Sequence, residues 1–137
     1  MEKILIVAEL KKDEVNKSTL ENLSYANSLG METSAVLIGT GIKKQAEVLV
    51  EYGAKTVYVA DDISLKFHGT FSYTRILQEA VSLSEPTQLW FTASEFSADL
   101  MPRIAARLGV GAISDITKLE LKGNDIRAFH PAISSKV

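Results

Sequence analysis

Short continuous apolar runs recur along this sequence, each followed by a polar stretch and then by apolar positions three and four apart. The first run is Ile4, Leu5, Ile6, Val7 and Ala8, mostly β-branched. A strand covered by helices on both faces reads this way, whereas a half-exposed strand alternates. Residues 11–17 are polar and predict a loop, after which Ser18 and Glu21 fit a capping box. The helix they open carries Leu20, Leu23, Tyr25, Ala26 and Leu29 as its apolar stripe, and Gly30 ends it. Residues 33–38 predict a second buried strand, and Gly39, Thr40 and Gly41 a flexible turn. A helix over 42–52 follows, with Ile42, Ala46, Leu49 and Val50 inward and Gly53 as its stop. Residues 56–60 are a third strand, ended by Asp61 and Asp62. A long connection leads to a helix over 73–83, which Pro86 terminates.

Residues 88–92 predict a fourth, short strand. The next helix covers 97–108, with Leu100, Met101, Ile104, Ala105 and Leu108 toward the sheet and Pro102 expected in its first turn. Gly109, Val110 and Gly111 link into 112–114, and from Asp115 the pattern changes. Residues 116–121 and 125–129 are strand-like about Lys122, Gly123 and Asn124, which predicts a hairpin. Strands alternating with helices give an α/β fold, a doubly wound, mostly parallel sheet with a C-terminal antiparallel hairpin. Residues 1–137 are expected to form one domain, with 115–137 as terminal hairpin and tail. The segment from His130 and Pro131 to Val137 carries no pattern that would cover the hairpin's edge, and exposed edges are usually covered. Two readings stand, a loose tail or a missing partner segment, and the expectation is a chain that forms part of a longer functional unit.

Composition narrows the classes of function. Hydrophobic residues make up 46% of the 137, as in ordinary globular domains. Fifteen basic against 17 acidic side chains leave a net charge of -2, so nothing electrostatic points to nucleic acid or an anionic membrane. Cysteine is absent, which removes disulfides, thiolate metal sites and thiol nucleophiles. The run at 4–8 is too short for a signal peptide or a membrane span, and Glu9 follows it. The expectation is a cytoplasmic bacterial or archaeal protein without membrane insertion.

Candidate chemistry lies at the ends of the strands. The amides of Gly39, Thr40 and Gly41 precede a helix and suit either a phosphate or a tight turn, although no GxGxxG or Gly-Lys-Ser/Thr pattern accompanies them. Asp61 and Asp62 end a strand, where a divalent ion or plain solvation would suit them. Hydroxyls between Thr92 and Ser97 either meet a ligand or cap the next helix. On that helix Asp99 and Arg103, four apart, fit a surface pair. The four arginines, Arg75, Arg103, Arg107 and Arg127, all lie in the second half and point to a partner surface there. His68 and His130 have no carboxylate or serine at a telling short spacing. No catalytic, cofactor-binding or metal-ligating residue is assigned.

Three blocks carry a resemblance. They are the start Ile4 to Glu9; Tyr52, Gly53 and Ala54 ahead of Val57, Tyr58, Val59, Ala60, Asp61 and Asp62; and 99–117, with its early Pro102, the exit Arg107-Leu108-Gly109-Val110-Gly111, and then Ser114-Asp115-Ile116-Thr117. In these the chain resembles the N-terminal domain of the alpha subunit of electron transfer flavoprotein, a Rossmann-like fold of the adenine-nucleotide alpha-hydrolase type. The resemblance implies a beta subunit of similar fold as partner, with AMP on beta in many members. It implies FAD on a C-terminal alpha domain that has no counterpart here, so no cofactor is expected on this chain itself. It also implies electrons passing from dehydrogenases, such as those acting on acyl-CoA, to the quinone pool or another acceptor, with some members bifurcating them. The closing segment departs, since His130-Pro131-Ala132-Ile133-Ser134-Ser135-Lys136 stands where the family shows Arg-Pro and a Tyr-Ala-Gly-Asn/Lys run. Two alternatives are a free-standing adenine-nucleotide-binding domain resembling universal stress proteins, and a small enzyme using Asp61 or Asp99 with a metal.

Overall fold

The computed structural model describes residues 3–62, 70–92, 94–108, 118–122 and 125–129, with side chains described in 3–62, 72–92 and 94–108. The elements are β1 (Lys3–Val7), β2 (Leu10–Lys11), β3 (Glu14–Val15), α1 (Lys17–Ser28), β4 (Glu32–Gly39), α2 (Lys43–Glu51), β5 (Thr56–Asp61), α3 (Thr70–Ser84), β6 (Gln88–Trp90), α4 (Glu95–Arg107), β7 (Lys118–Lys122) and β8 (Asp125–Phe129). One sheet runs in the order β5-β4-β1-β6-β7-β8. Its first four strands are parallel, β7 is antiparallel to β6, and β8 is antiparallel to β7. The doubly wound sheet with an antiparallel hairpin is therefore present, with Leu119 opposite Ala128 and Leu121 opposite Ile126.

Alternation within β1 divides the core. Ile4 and Ile6 join Leu23 and Ala26 of α1, Leu49 of α2 and Trp90 on one face. Leu5 and Val7 join Leu77 of α3 and Leu100, Ile104 and Ala105 of α4 on the other. That is why the run at 4–8 does not alternate: both faces of the central strand are dry. Burying each such Leu or Ile contributes about 1.5–3 kcal/mol.

Several expected details differ. Within the expected loop 11–17, β2 and β3 form a two-residue hairpin turning on Lys12 and Asp13, at φ 53° and 65°. Positive φ at both turn positions is normally signalled by Asn or Gly, and here that signal is missing. The cap of α1 is Asn16, whose side chain accepts from the Ser18 amide at 2.8 Å, so no Ser18–Glu21 box forms. Asn16 is delivered to that position because its own amide donates to the Glu9 carbonyl at 2.7 Å. Leu29 and Val50, expected inward, are 49% and 55% exposed, and Tyr25 is 42% exposed while its ring lies 6.2 Å from Trp90. The helix expected over 73–83 starts earlier, at Thr70. Ser94 caps α4 instead of Ser97, so the helix starts earlier and Pro102 falls in its interior. Pro102 has no amide for the Ala98 carbonyl, but both residues are exposed and water can reach that oxygen. The expectations for 109–117, the turn at Gly123 and Asn124, and 130–137 lie outside the described residues. No helix among the described residues is long and apolar enough to cross a membrane.

Candidate functional site

Open α/β sheets place ligands beyond the carboxyl ends of their strands, where the strand order reverses. Here β1 has β4 on one side and β6 on the other, so the reversal falls between β1 and β6. Glu9 lies just past the end of β1, and Ser94 lies past β6 at the cap of α4. The Ser94 hydroxyl donates to both Glu9 carboxylate oxygens, at 2.8 and 2.9 Å. It also accepts the Ser97 amide at 3.1 Å, while the Ser97 hydroxyl accepts the Ser94 amide at 3.0 Å. Ser94 thus spends its one proton on Glu9 and its lone pairs on the helix end.

Beneath this pair, the Glu9 amide donates to Thr19 Oγ1 at 3.1 Å, and Thr19 Oγ1 lies 3.2 Å from Thr92 Oγ1. Both threonines are buried. The hydroxyls between Thr92 and Ser97 accordingly tie β1, α1 and α4 together. Beside Glu9 opens a cleft of ≈ 200 Å³ lined by Ala8, Glu9, Leu10, Ile38, Tyr73 and Phe96. Tyr73 and Phe96 meet edge to face, with centroids 5.4 Å apart at 78°. Burial lifts the Glu9 carboxyl above its ordinary value, and the Ser94 bond offsets this only in part. Burial also raises the Tyr73 phenol.

A second arrangement sits at the end of β5. The Asp61 carboxylate accepts the Gly41 amide at 2.8 Å and the Ile42 amide at 2.9 Å, one on each oxygen. Thr40 Oγ1 donates to the Asp62 carbonyl at 2.7 Å. These amides, of the N-cap Ile42 and of the turn residue just before it, point out ahead of α2, and the chain's own anion satisfies them. The two backbone bonds hold Asp61 below the usual carboxylate range, against a smaller opposing effect of burial. Of the two readings for Gly39, Thr40 and Gly41, the structure realises the tight turn, with Gly41 at φ +67°. Asp61 is committed to the backbone, and among the described residues no group of three or more His, Asp or Glu could hold a metal ion.

Asp99 and Arg103 form the surface pair, 3.7 Å apart with both side chains more than half exposed. Arg107 donates to Gln78 at 3.3 Å. Arg75 lines a wider cleft, ≈ 450 Å³, with Asp61, Asp62, Ser72, Ile76 and Glu79. The side chain of Arg127, and all of His68 and His130, lie outside the described residues. Glu9 is the site residue that sequence reasoning passed over. Its signal was a lone acid directly after a buried parallel-strand run, at the edge where ligands gather.

The family model for the electron transfer flavoprotein domain matches residues 4–137. The electron transfer flavoprotein subunit alpha of Clostridium acetobutylicum is 33% identical over 140 residues, covering 98% of this chain and 42% of that protein. The corresponding subunit of Bacillus subtilis is 28% identical over 136 residues, with the same 98% and 42% coverage. Subunit LctC of the lactate dehydrogenase (NAD(+),ferredoxin) of Acetobacterium woodii is 29% identical over 139 residues, 98% of this chain and 33% of that protein. The chain spans less than half the length of these relatives.

Proposed function

The chain belongs to the electron transfer flavoprotein domain family, and from that premise we propose that it is the scaffold and subunit-interface domain of an electron transfer flavoprotein alpha subunit. In this reading FAD is held elsewhere in the complex, and the beta subunit and the flavin domain dock on this domain. Electrons pass from dehydrogenases through the flavin to a downstream acceptor. The redox chemistry belongs to the cofactor, and the side chains here supply geometry.

One observation carries the reading: at the carboxyl edge, two positions suited to an anion each hold a carboxylate of the chain itself. Asp61 spans the Gly41 and Ile42 amides, and Glu9 takes the proton of Ser94, the cap of α4. A nucleotide phosphate entering either place would have to displace a tethered anion and then stand beside that like charge. At these two places, among the described residues, the side chains therefore do not fit a phosphate of FAD or AMP. This weighs against the free-standing adenine-nucleotide-binding reading.

Calorimetric titration with FAD and with AMP, alongside association with a matching beta subunit, tests the proposal. The expected result is no heat from either nucleotide and a saturable association with beta. Tight adenine-nucleotide binding without beta association would overturn it in favour of the stress-protein-like reading.

A further inference from the structure

The two edge carboxylates differ in how fully they are satisfied. Asp61 has one backbone amide on each oxygen. Glu9, half-buried, has a single hydroxyl proton divided between both oxygens. A carboxylate offers about four acceptor positions, so most of the capacity of Glu9 is unused. Among the described residues no cation pairs with it: the ion pairs there are Lys55 with Glu32 and Arg103 with Asp99. A charge withdrawn from water without a counter-ion is costly, and an incoming cation relieves that cost.

We infer that the cleft at the end of β1, walled by Ile38 of β4, Tyr73 of α3 and Phe96 of α4, receives one cationic side chain of a partner, an arginine or lysine of the beta subunit, with Glu9 as its counter-ion. The inference rests on the interface reading given above. Size, lining and placement agree with it. At ≈ 200 Å³ the cleft is below the roughly 300–1,000 Å³ of small-molecule sites and suits a single side-chain head. Tyr73 and Phe96 supply aromatic wall, which attracts guanidinium and ammonium groups. The cleft opens at the carboxyl edge of the sheet, where a docking partner meets the end of β1 together with α3 and α4.

The intact chain is titrated with methylguanidinium chloride, against sodium chloride at matched ionic strength, at a pH where Glu9 is ionised. Amide resonances and the Glu9 side-chain carboxyl carbon are followed by NMR. The expected result is a saturable shift at Glu9, Thr19 and Ser94, with a lowered titration midpoint for Glu9. Among the described residues Tyr73, on α3, is the other titratable group lining the cleft, and it stays neutral in that range. Glu9→Gln is expected to weaken the probe about tenfold, as loss of a charge-assisted contact does. Shifts that sodium chloride reproduces, or an unmoved midpoint in the wild type, would overturn the cation site whether or not the variant folds. If the probe binds but neither it nor Glu9→Gln weakens association with beta, the cleft takes free cations and the docking role is refuted. Failure of beta to associate at all refutes the interface reading instead, and probe binding still decides the cleft.

Discussion

Asp61 and Glu9 both follow strands at the carboxyl edge, yet their surroundings shift their titration in opposite directions. The Gly41 and Ile42 amides, the largest influences on Asp61, depress its folded value. Its contribution is therefore present above the unfolded carboxylate value and is lost as pH falls through the folded one. Asp61→Asn is expected to lower the urea midpoint at neutral pH, with the gap to wild type closing in acid; urea melts across that range check this. For Glu9 burial dominates and the folded value is raised. What Glu9 contributes is present below its unfolded value and is lost as pH rises through the folded value. Glu9→Gln should gain in Tm relative to wild type across that rise, measured by thermal melts at stepped pH; a constant difference would refute the burial effect. Gly53 makes a third test. At φ +111° it lies in the region open mainly to glycine, and a Cβ there would overlap the Asn27 amide, which donates to the Leu23 carbonyl at 2.9 Å. Gly53→Ala should cost about 1–3 kcal/mol by chemical denaturation. The same change at Gly41, where the added atom meets open space, carries only the backbone part of that cost.

At the level of elements, α4 depends on its reciprocal Ser94–Ser97 cap. Ser94→Ala is expected to cost about 1 kcal/mol and to raise the Glu9 midpoint further, because the removed hydroxyl is the one that lowers it. A urea melt and a carboxyl titration of the same variant separate the two effects. The strands at 4–8 and 33–38 were legible because both faces of β1 and β4 are covered, leaving near-continuous apolar runs. Caps were less legible, since several Ser and Asn residues precede each helix and tertiary contacts choose among them. The amide bond from Asn16 to Glu9 fixes Asn16, and the Glu9 carboxylate fixes Ser94. Pro102 misled because an interior proline is normally expensive, and only the exposure of its turn makes it tolerable here. The Glu9–Ser94 contact joins positions 85 apart, beyond any local pattern.

For the whole molecule, β1 is the axis on which both cores meet, and Ile4, Leu5, Ile6 and Val7 are each at most 2% exposed. Hydrogen exchange should show its amides to be the slowest, opening only with global unfolding, while β2, β3 and the edge strand β5 exchange earlier. Comparable protection in β5 and β1 would contradict this. The position of β1 also sets a timetable. One neighbour, β4, is near in the chain, but the other is β6, and Lys3 and Thr87 exchange backbone and hydroxyl hydrogen bonds at 2.8 to 3.1 Å across 84 positions. On the ribosome, β1, β4 and β5 can pair while β6 is still unmade. At roughly 5–20 residues per second, the most apolar strand of the protein then waits on the order of seconds with one side open to any other strand. The nascent chain is at its most vulnerable in that interval, and a chaperone that shields the growing chain has its clearest task there.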